Sequence, residues 1–117
     1  MSPAKNKKME TFEVATDGGH KVILKSFITF GEKREINNAF NVAAIYENGA
    51  ETEKSMSSRL NASTDKAIET VIVSIDGKTT DLVKEFMALP NRDGVAIIAR
   101  INEITENKKK EPATPGT

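Results

Sequence analysis

The segment from Thr64 to Glu106 constrains this chain more than any other. TDKAIETVIVSIDGKTTDLVKEFMALPNRDGVAIIARINEITE carries most of the large aliphatic side chains, so any core must be assembled from it. It reads as short apolar stretches cut at Asp76-Gly77 and at Leu89-Pro90-Asn91-Arg92-Asp93-Gly94. Within Lys66–Asp76, the residues Ala67, Ile68, Val71, Ile72 and Ile75 fall on one helical face, with Ser63 or Thr64 placed as N-cap. Thr70–Ile75 is also rich in β-branched residues, the composition of a strand, but β-branching costs a helix only about a few tenths of a kcal/mol per residue. The spacing favours a helix over 65–76, ended by Gly77.

The next helix is expected over 80–89. Thr79 or Thr80 would cap it, Asp81 lies in its first turn where the helix dipole favours an anion, Leu82, Val83, Phe86 and Met87 form its apolar face, and Pro90 stops it. The last helix, 93–105, opens at Asn91 or Asp93 and carries Val95, Ile97, Ile98, Ile101 and Ile104. Its apolar residues cover more than one stripe, which suits either a central place in the core or a face reserved for a partner.

Before this block the pattern is mixed. Thr11–Val14 alternates polar and apolar, and so in part does His20–Lys25. With Asp17-Gly18-Gly19 between them they form a β-hairpin over 11–27. An isolated hairpin is marginal in water, so Phe12, Val14, Val22 and Leu24 should rest on helices. Thr29-Phe30-Gly31-Glu32 matches a capping box and starts an amphipathic helix over 30–48 with Ile36, Ala39, Phe40, Ala43 and Ala44 on one face, ended by Asn48-Gly49. Residues 49–63 are small and polar with only Met56 and Leu60 to anchor them, as in a mobile loop. The polar ends, 1–9 and 107–117, have nothing to bury and are expected to be disordered. The expected fold is α+β and mostly α, an N-terminal hairpin followed by about four helices in one domain.

The chemistry classes are narrowed by what is missing. There is no cysteine among the 117 residues, so disulfides, thiolate metal sites and cysteine nucleophiles are ruled out. His20 is the single histidine, beside a turn, with no second imidazole to share a metal. Gly77-Lys78-Thr79 has the form of the end of a phosphate-binding loop, but Ile72 stands where that motif needs glycine. Asp76, Asp81 and Asp93 lack the alternating oxygen ligands of a calcium loop and read as helix caps. Glu32, Lys33, Arg34 and Glu35 read as a solvated helix start, and Asn61-Ala62-Ser63 is a glycosylation sequon only in a secreted protein. No serine sits in a nucleophile elbow and no acid–base pair is apparent, so no enzyme, cofactor or metal is expected.

Charge is balanced, 17 basic against 17 acidic. The lysines near the ends (Lys5, Lys7 and Lys8; Lys108 to Lys110) are not interleaved with aromatics, so no nucleic-acid partner is expected. The basic start is not followed by an apolar region, and no apolar run approaches bilayer length, so neither a signal peptide nor a membrane partner is expected.

The residues also carry a family resemblance. Val22-Ile23-Leu24-Lys25-Ser26-Phe27-Ile28-Thr29 followed by Gly31-Glu32-Lys33-Arg34-Glu35-Ile36 resembles the strand and helix start of small tail assembly chaperones from siphophage and prophage gene clusters. Asp65-Lys66-Ala67-Ile68-Glu69, Val71–Gly77, Leu89-Pro90, Asp93 and Ile101-Asn102 follow in the family's order. The resemblance spans Val22 to Glu106 apart from the polar loop. This chain departs from it by Phe30 ahead of Gly31 and by Asn91-Arg92-Asp93-Gly94 in place of a more acidic aromatic turn.

The resemblance implies a protein-binding role in the host bacterial cytoplasm, with tape measure protein and tail tube protein as partners and self-association as a further option. Met56, Leu60, Phe86, Met87, Val95 and Ile98 are the candidate partner-binding residues, and engagement of an amphipathic helix would be the physical mode. The alternatives are a virion tail or head–tail connector subunit and, less favoured by the neutral charge, a small helix-turn-helix regulator.

Overall fold

The computed structural model describes residues 10–106; the expectations for 1–9 and 107–117 lie outside it. Strands β1 (Thr11–Ala15) and β2 (Lys21–Lys25) are followed by α1 (Phe30–Val42), the short strands β3 (Tyr46–Glu47) and β4 (Ala50–Glu51), and α2 (Ser55–Val71). β5 (Ile72–Ile75), α3 (Leu82–Met87) and α4 (Asn91–Thr105) complete the order. The class is α+β, mostly α, as expected.

The N-terminal hairpin forms as its alternation requires, with Phe12 opposite Leu24 and Val14 opposite Val22. Its loop closes through Gly19 N to Thr16 O at 3.0 Å and Thr16 N to His20 O at 2.9 Å, with Gly19 at φ +89°. That positive φ is the left-handed residue of a three-residue hairpin loop. The capping box is present too: Glu32 N donates to Thr29 Oγ1 at 3.1 Å, and Thr29 N donates to Glu32 Oε1 at 2.9 Å. Lys25 Nζ reaches Glu32 Oε2 at 2.8 Å and ties the end of β2 to the start of α1.

The segment 65–76 is a helix and then a strand. α2 runs to Val71, and Ile72 turns directly into extended geometry (φ −80°, ψ 129°) while its N–H still bonds to Ile68 O. β5 joins the sheet beside β2, giving the antiparallel order β1-β2-β5. The pairing Val22 with Ile75, Ile23 with Ser74 and Leu24 with Ile72 skips Val73. This bulge puts Ile72 and Ile75, three apart, on one face of a strand that otherwise alternates by two. Ile68, Val71, Ile72 and Ile75 therefore all face inward, a spacing that imitates one continuous helix.

Asn48-Gly49 and Asp76-Gly77, expected to end helices, form tight hairpin turns instead. Asn48 and Gly49 have φ of 54° and 80°, Asp76 and Gly77 of 51° and 85°. Two consecutive positive φ values define the turn that matches strand twist. Accordingly α1 ends at Val42 rather than at 48, and Asn48-Gly49 joins β3 to β4. Gly77 closes a turn in which Ile75 and Lys78 exchange backbone bonds of 3.0 and 2.9 Å.

The expected loop 49–63 is β4 and the first half of α2. Its serines and arginine bond to α1 rather than to water: Ser58 Oγ donates to Ala43 O at 2.8 Å, and Arg59 Nε to Phe40 O at 3.2 Å. α3 is shorter than 80–89 because Asp81, not Thr79 or Thr80, precedes it, at φ 54° and with no side-chain cap. α4 starts at Asn91, immediately after Pro90, earlier than the expected 93.

The core lies under the inner face of the sheet. Val22, Leu24, Ile68, Val71 and Ile97 are fully inaccessible, and Ile36, Ala67, Ile72, Ile75, Phe86 and Ile101 complete the cluster. Phe12, Val14, Leu82, Ile98 and Ile104 pack around it, half-buried. Each fully buried aliphatic of this kind contributes about 1.5–3 kcal/mol relative to exposure. Position on α4 should therefore decide the cost of truncation. Ile97→Ala is expected to lower unfolding free energy by about 2–5 kcal/mol in urea titration, and Val95→Ala, on the exposed face of the same helix, by less than about 0.5 kcal/mol.

Candidate functional site

The polar residues singled out from the sequence serve the fold. Asp93, 2 % exposed, accepts the Thr16 hydroxyl at 2.9 Å and the Gly18 amide at 3.3 Å. It is not a cap of its own helix; from the first turn of α4 it holds the β1–β2 loop. A Cβ on Gly18 would run into the Asp93 carboxylate, so Gly18 is needed for this close approach. Thr16 Oγ1 also accepts His20 N at 3.0 Å.

His20 is not simply a solvated turn residue, since its Nδ1 lies 2.7 Å from Asp76 Oδ2. Asp76 accepts the Lys21 amide on Oδ1 at 2.9 Å and donates its own amide to Lys21 O at 2.8 Å. The His20 hydrogen bond, then that of the Lys21 amide, holds the Asp76 carboxyl below its usual range. Asp81 only precedes α3, and Lys78 Nζ turns to Glu85 Oε1 at 3.5 Å, so Gly77-Lys78-Thr79 builds no phosphate cradle. Among the described residues no three His, Asp or Glu side chains gather to hold a metal ion. No helix among them is long and apolar enough to cross a membrane.

What remains is apolar surface. Of the candidate partner-binding residues, Phe86 is 7 % exposed in the core, against Gly94, and Ile98 is half-buried against the same cluster. Phe86 is thus a core residue and Ile98 lies at the core's margin. Their helices turn them inward, while Met87 and Val95, one position on from Phe86 and two before Ile97, face out.

Met56 and Leu60, both 51 % exposed, are one turn apart on α2. At about 100° per residue they share a stripe with Ala67 and Val71. The lower part of that stripe is buried under the sheet, and the upper part is uncovered. The neighbouring face of α2 is occupied. Ser55 Oγ accepts Ile45 N at 2.9 Å and donates to Glu51, and Arg59 bonds to Glu51 Oε2 at 2.8 Å and lies 4.3 Å from the Phe40 ring centroid. The first turns of α2 are thus tied to α1 and to the β3–β4 hairpin, with Met56 and Leu60 on a different face of the helix.

Tyr46 on β3, 62 % exposed, and Ile45 belong to the same end of the molecule. Neither was picked out from the sequence. The missed signal was Asn48-Gly49: read as a hairpin turn, it places Tyr46 on an exposed strand rather than in the last turn of a helix. Phe30, Val42 and Phe27 are further exposed apolar residues, with Arg34 stacked at 5.9 Å on Phe30.

Comparisons with protein-family models, with curated proteins and with solved structures found no match for this chain.

Glu32 and Glu51 are also held below the usual carboxylate range. The Lys25 ammonium is the main cause for Glu32, and the Ser55 hydroxyl followed by the Arg59 guanidinium for Glu51. A carboxylate depressed in the folded state contributes stability that is present above its unfolded pKa and lost as pH falls through the folded value. Stability is therefore expected to hold at neutral pH and to decline as pH falls beneath the ordinary carboxylate range. Asp76→Asn should flatten that decline in thermal unfolding followed from pH 7 to pH 2; an unchanged slope would show that Asp76 has no part in it.

Proposed function

We propose that this protein is a tail assembly chaperone of a phage or prophage, binding tape measure protein, tail tube subunits or both, and keeping their apolar segments soluble until the tube polymerises. The observation that carries the reading is the ordered series from Gly31-Glu32-Lys33-Arg34-Glu35-Ile36 through Ser74-Ile75-Asp76-Gly77 and Leu89-Pro90 to Ile101-Asn102. Each piece is short; their order along nearly the whole folded segment is what resembles the family.

The surface is compatible with such a role. Met56 and Leu60 extend a core stripe of α2 beyond the part that the described residues cover. An apolar pair at i and i+4 on a rigid helix is the anchor pattern of helix-to-helix docking. Binding rather than chemistry also agrees with the use of His20, Asp76 and Asp93 as structural ties.

Co-expression of the full chain with a fragment of a siphophage tape measure protein provides the test. A soluble complex is expected on size exclusion, with the fragment aggregating when expressed alone. The double variant Met56→Ser, Leu60→Ser should stay folded with an unfolding midpoint lowered by no more than about 8 °C, since two half-exposed substitutions together cost about 1 kcal/mol, and should lose the complex. Equal aggregation of the fragment with and without the chain would sink the proposal.

A further inference from the structure

β1 is the outer strand of the three-stranded sheet and, among the described residues, pairs only with β2. Register decides which of its backbone groups are left free. The bonds flanking the hairpin, Ser26 N to Glu10 O and Thr16 N to His20 O, both 2.9 Å, identify the even-numbered residues as those bonding to β2. In an antiparallel ladder the residues between them turn their amides and carbonyls the other way. The β2 side agrees. Lys21, opposite Ala15, uses both its N–H and its carbonyl on Asp76, at the β5 side. Thr11, Glu13 and Ala15 therefore aim their N–H and C=O groups away from the sheet, and all three are exposed.

Edge strands are commonly protected by lysine, proline or a bulge. β1, TFEVA, has neither residue, its register with β2 is continuous, and the one charge that guards it is Glu13. The opposite edge strand, β5, carries the bulge and packs against α3. A row of free donors and acceptors at strand spacing accepts one kind of occupant, another extended backbone.

Glu13 selects among such occupants. It is the central residue of β1 and its side chain is exposed. A second copy pairing antiparallel about the strand centre would place two Glu13 carboxylates directly opposite each other, and like charges so placed are destabilising. A cation in that position would be favourable. On the inner face, the residues on either side of the cation would lie beside half-buried Phe12 and Val14, a setting for β-branched aliphatics.

We infer that the β1 edge is a strand-addition site for an extended segment of another protein that carries lysine or arginine opposite Glu13 between β-branched residues. This inference does not rest on the chaperone reading or on the Met56–Leu60 face.

Titration of the isotope-labelled full chain with acetyl-Thr-Val-Lys-Val-Thr-amide, followed by amide NMR, tests it. Saturable shifts are expected at Thr11, Glu13 and Ala15. The same peptide with Glu for Lys should bind more weakly, by about two- to fivefold, the range of one exposed ion pair. Glu13→Lys, at an exposed position, should reverse the order of the two peptides while leaving the core amide spectrum intact. Absence of saturable shifts at millimolar peptide would overturn the inference. So would an order unchanged by Glu13→Lys, shifts confined to Met56 and Leu60, or concentration-dependent shifts of the same amides without peptide, which would assign the edge to a second copy.

Discussion

The bulge at Val73 is the constraint on which the rest of the core depends. α2 passes into β5 with no connecting loop, so the last helical turn and the first strand residues must bury the same side of one chain segment. A regular strand would carry Ile72 and Ile75 to opposite faces. Skipping Val73 in the pairing with β2 brings both inward, beside Ile68 and Val71 from the helix. The sheet thereby gains a third strand, and β2, now central, has Val22 and Leu24 completely enclosed.

At the turn end of the sheet, polar side chains secure what apolar packing begins. Asp93 of α4 grips the β1–β2 loop through Thr16 and Gly18, and Thr16 in turn receives the His20 amide. The His20 ring reaches Asp76 in the turn after β5. A carboxylate as buried as Asp93 is tolerated because donors are aimed at its oxygens; without them its desolvation would be costly. The ties made by Asp93 and Asp76 run between segments more than fifty residues apart in the chain, and they account for the histidine and two of the aspartates that would otherwise invite a catalytic reading.

The opposite arrangement holds around the first turns of α2. There Ser55, Ser58 and Arg59 bind α1 and the β3–β4 hairpin, so hydrogen bonds rather than aliphatic burial hold the helix in place. That leaves about half of the Met56 and Leu60 side chains uncovered among the described residues. Large apolar side chains held out on a rigid support are suited to a partner, and the chaperone proposal uses them in that way.

Much of the fold was legible locally. The hairpin over Thr11–Lys25 follows from alternation around Asp17-Gly18-Gly19, the start of α1 from the Thr29/Glu32 capping box, and α4 from its isoleucine spacing after Pro90. These features are set by neighbours a few residues away, and a sequence displays such neighbours directly. The candidate surface was legible only in part: hydropathy marked Met56, Leu60, Phe86 and Ile98 alike, while the packing of α3 and α4 buried Phe86 and half-buried Ile98. Whether Val71–Ile75 continues a helix or becomes a strand was a tertiary decision. The inward spacing of Ile68, Val71, Ile72 and Ile75 fits either form, and only the free edge of β2, supplied by residues some fifty positions earlier, offers Ile72, Ser74 and Ile75 a strand to pair with.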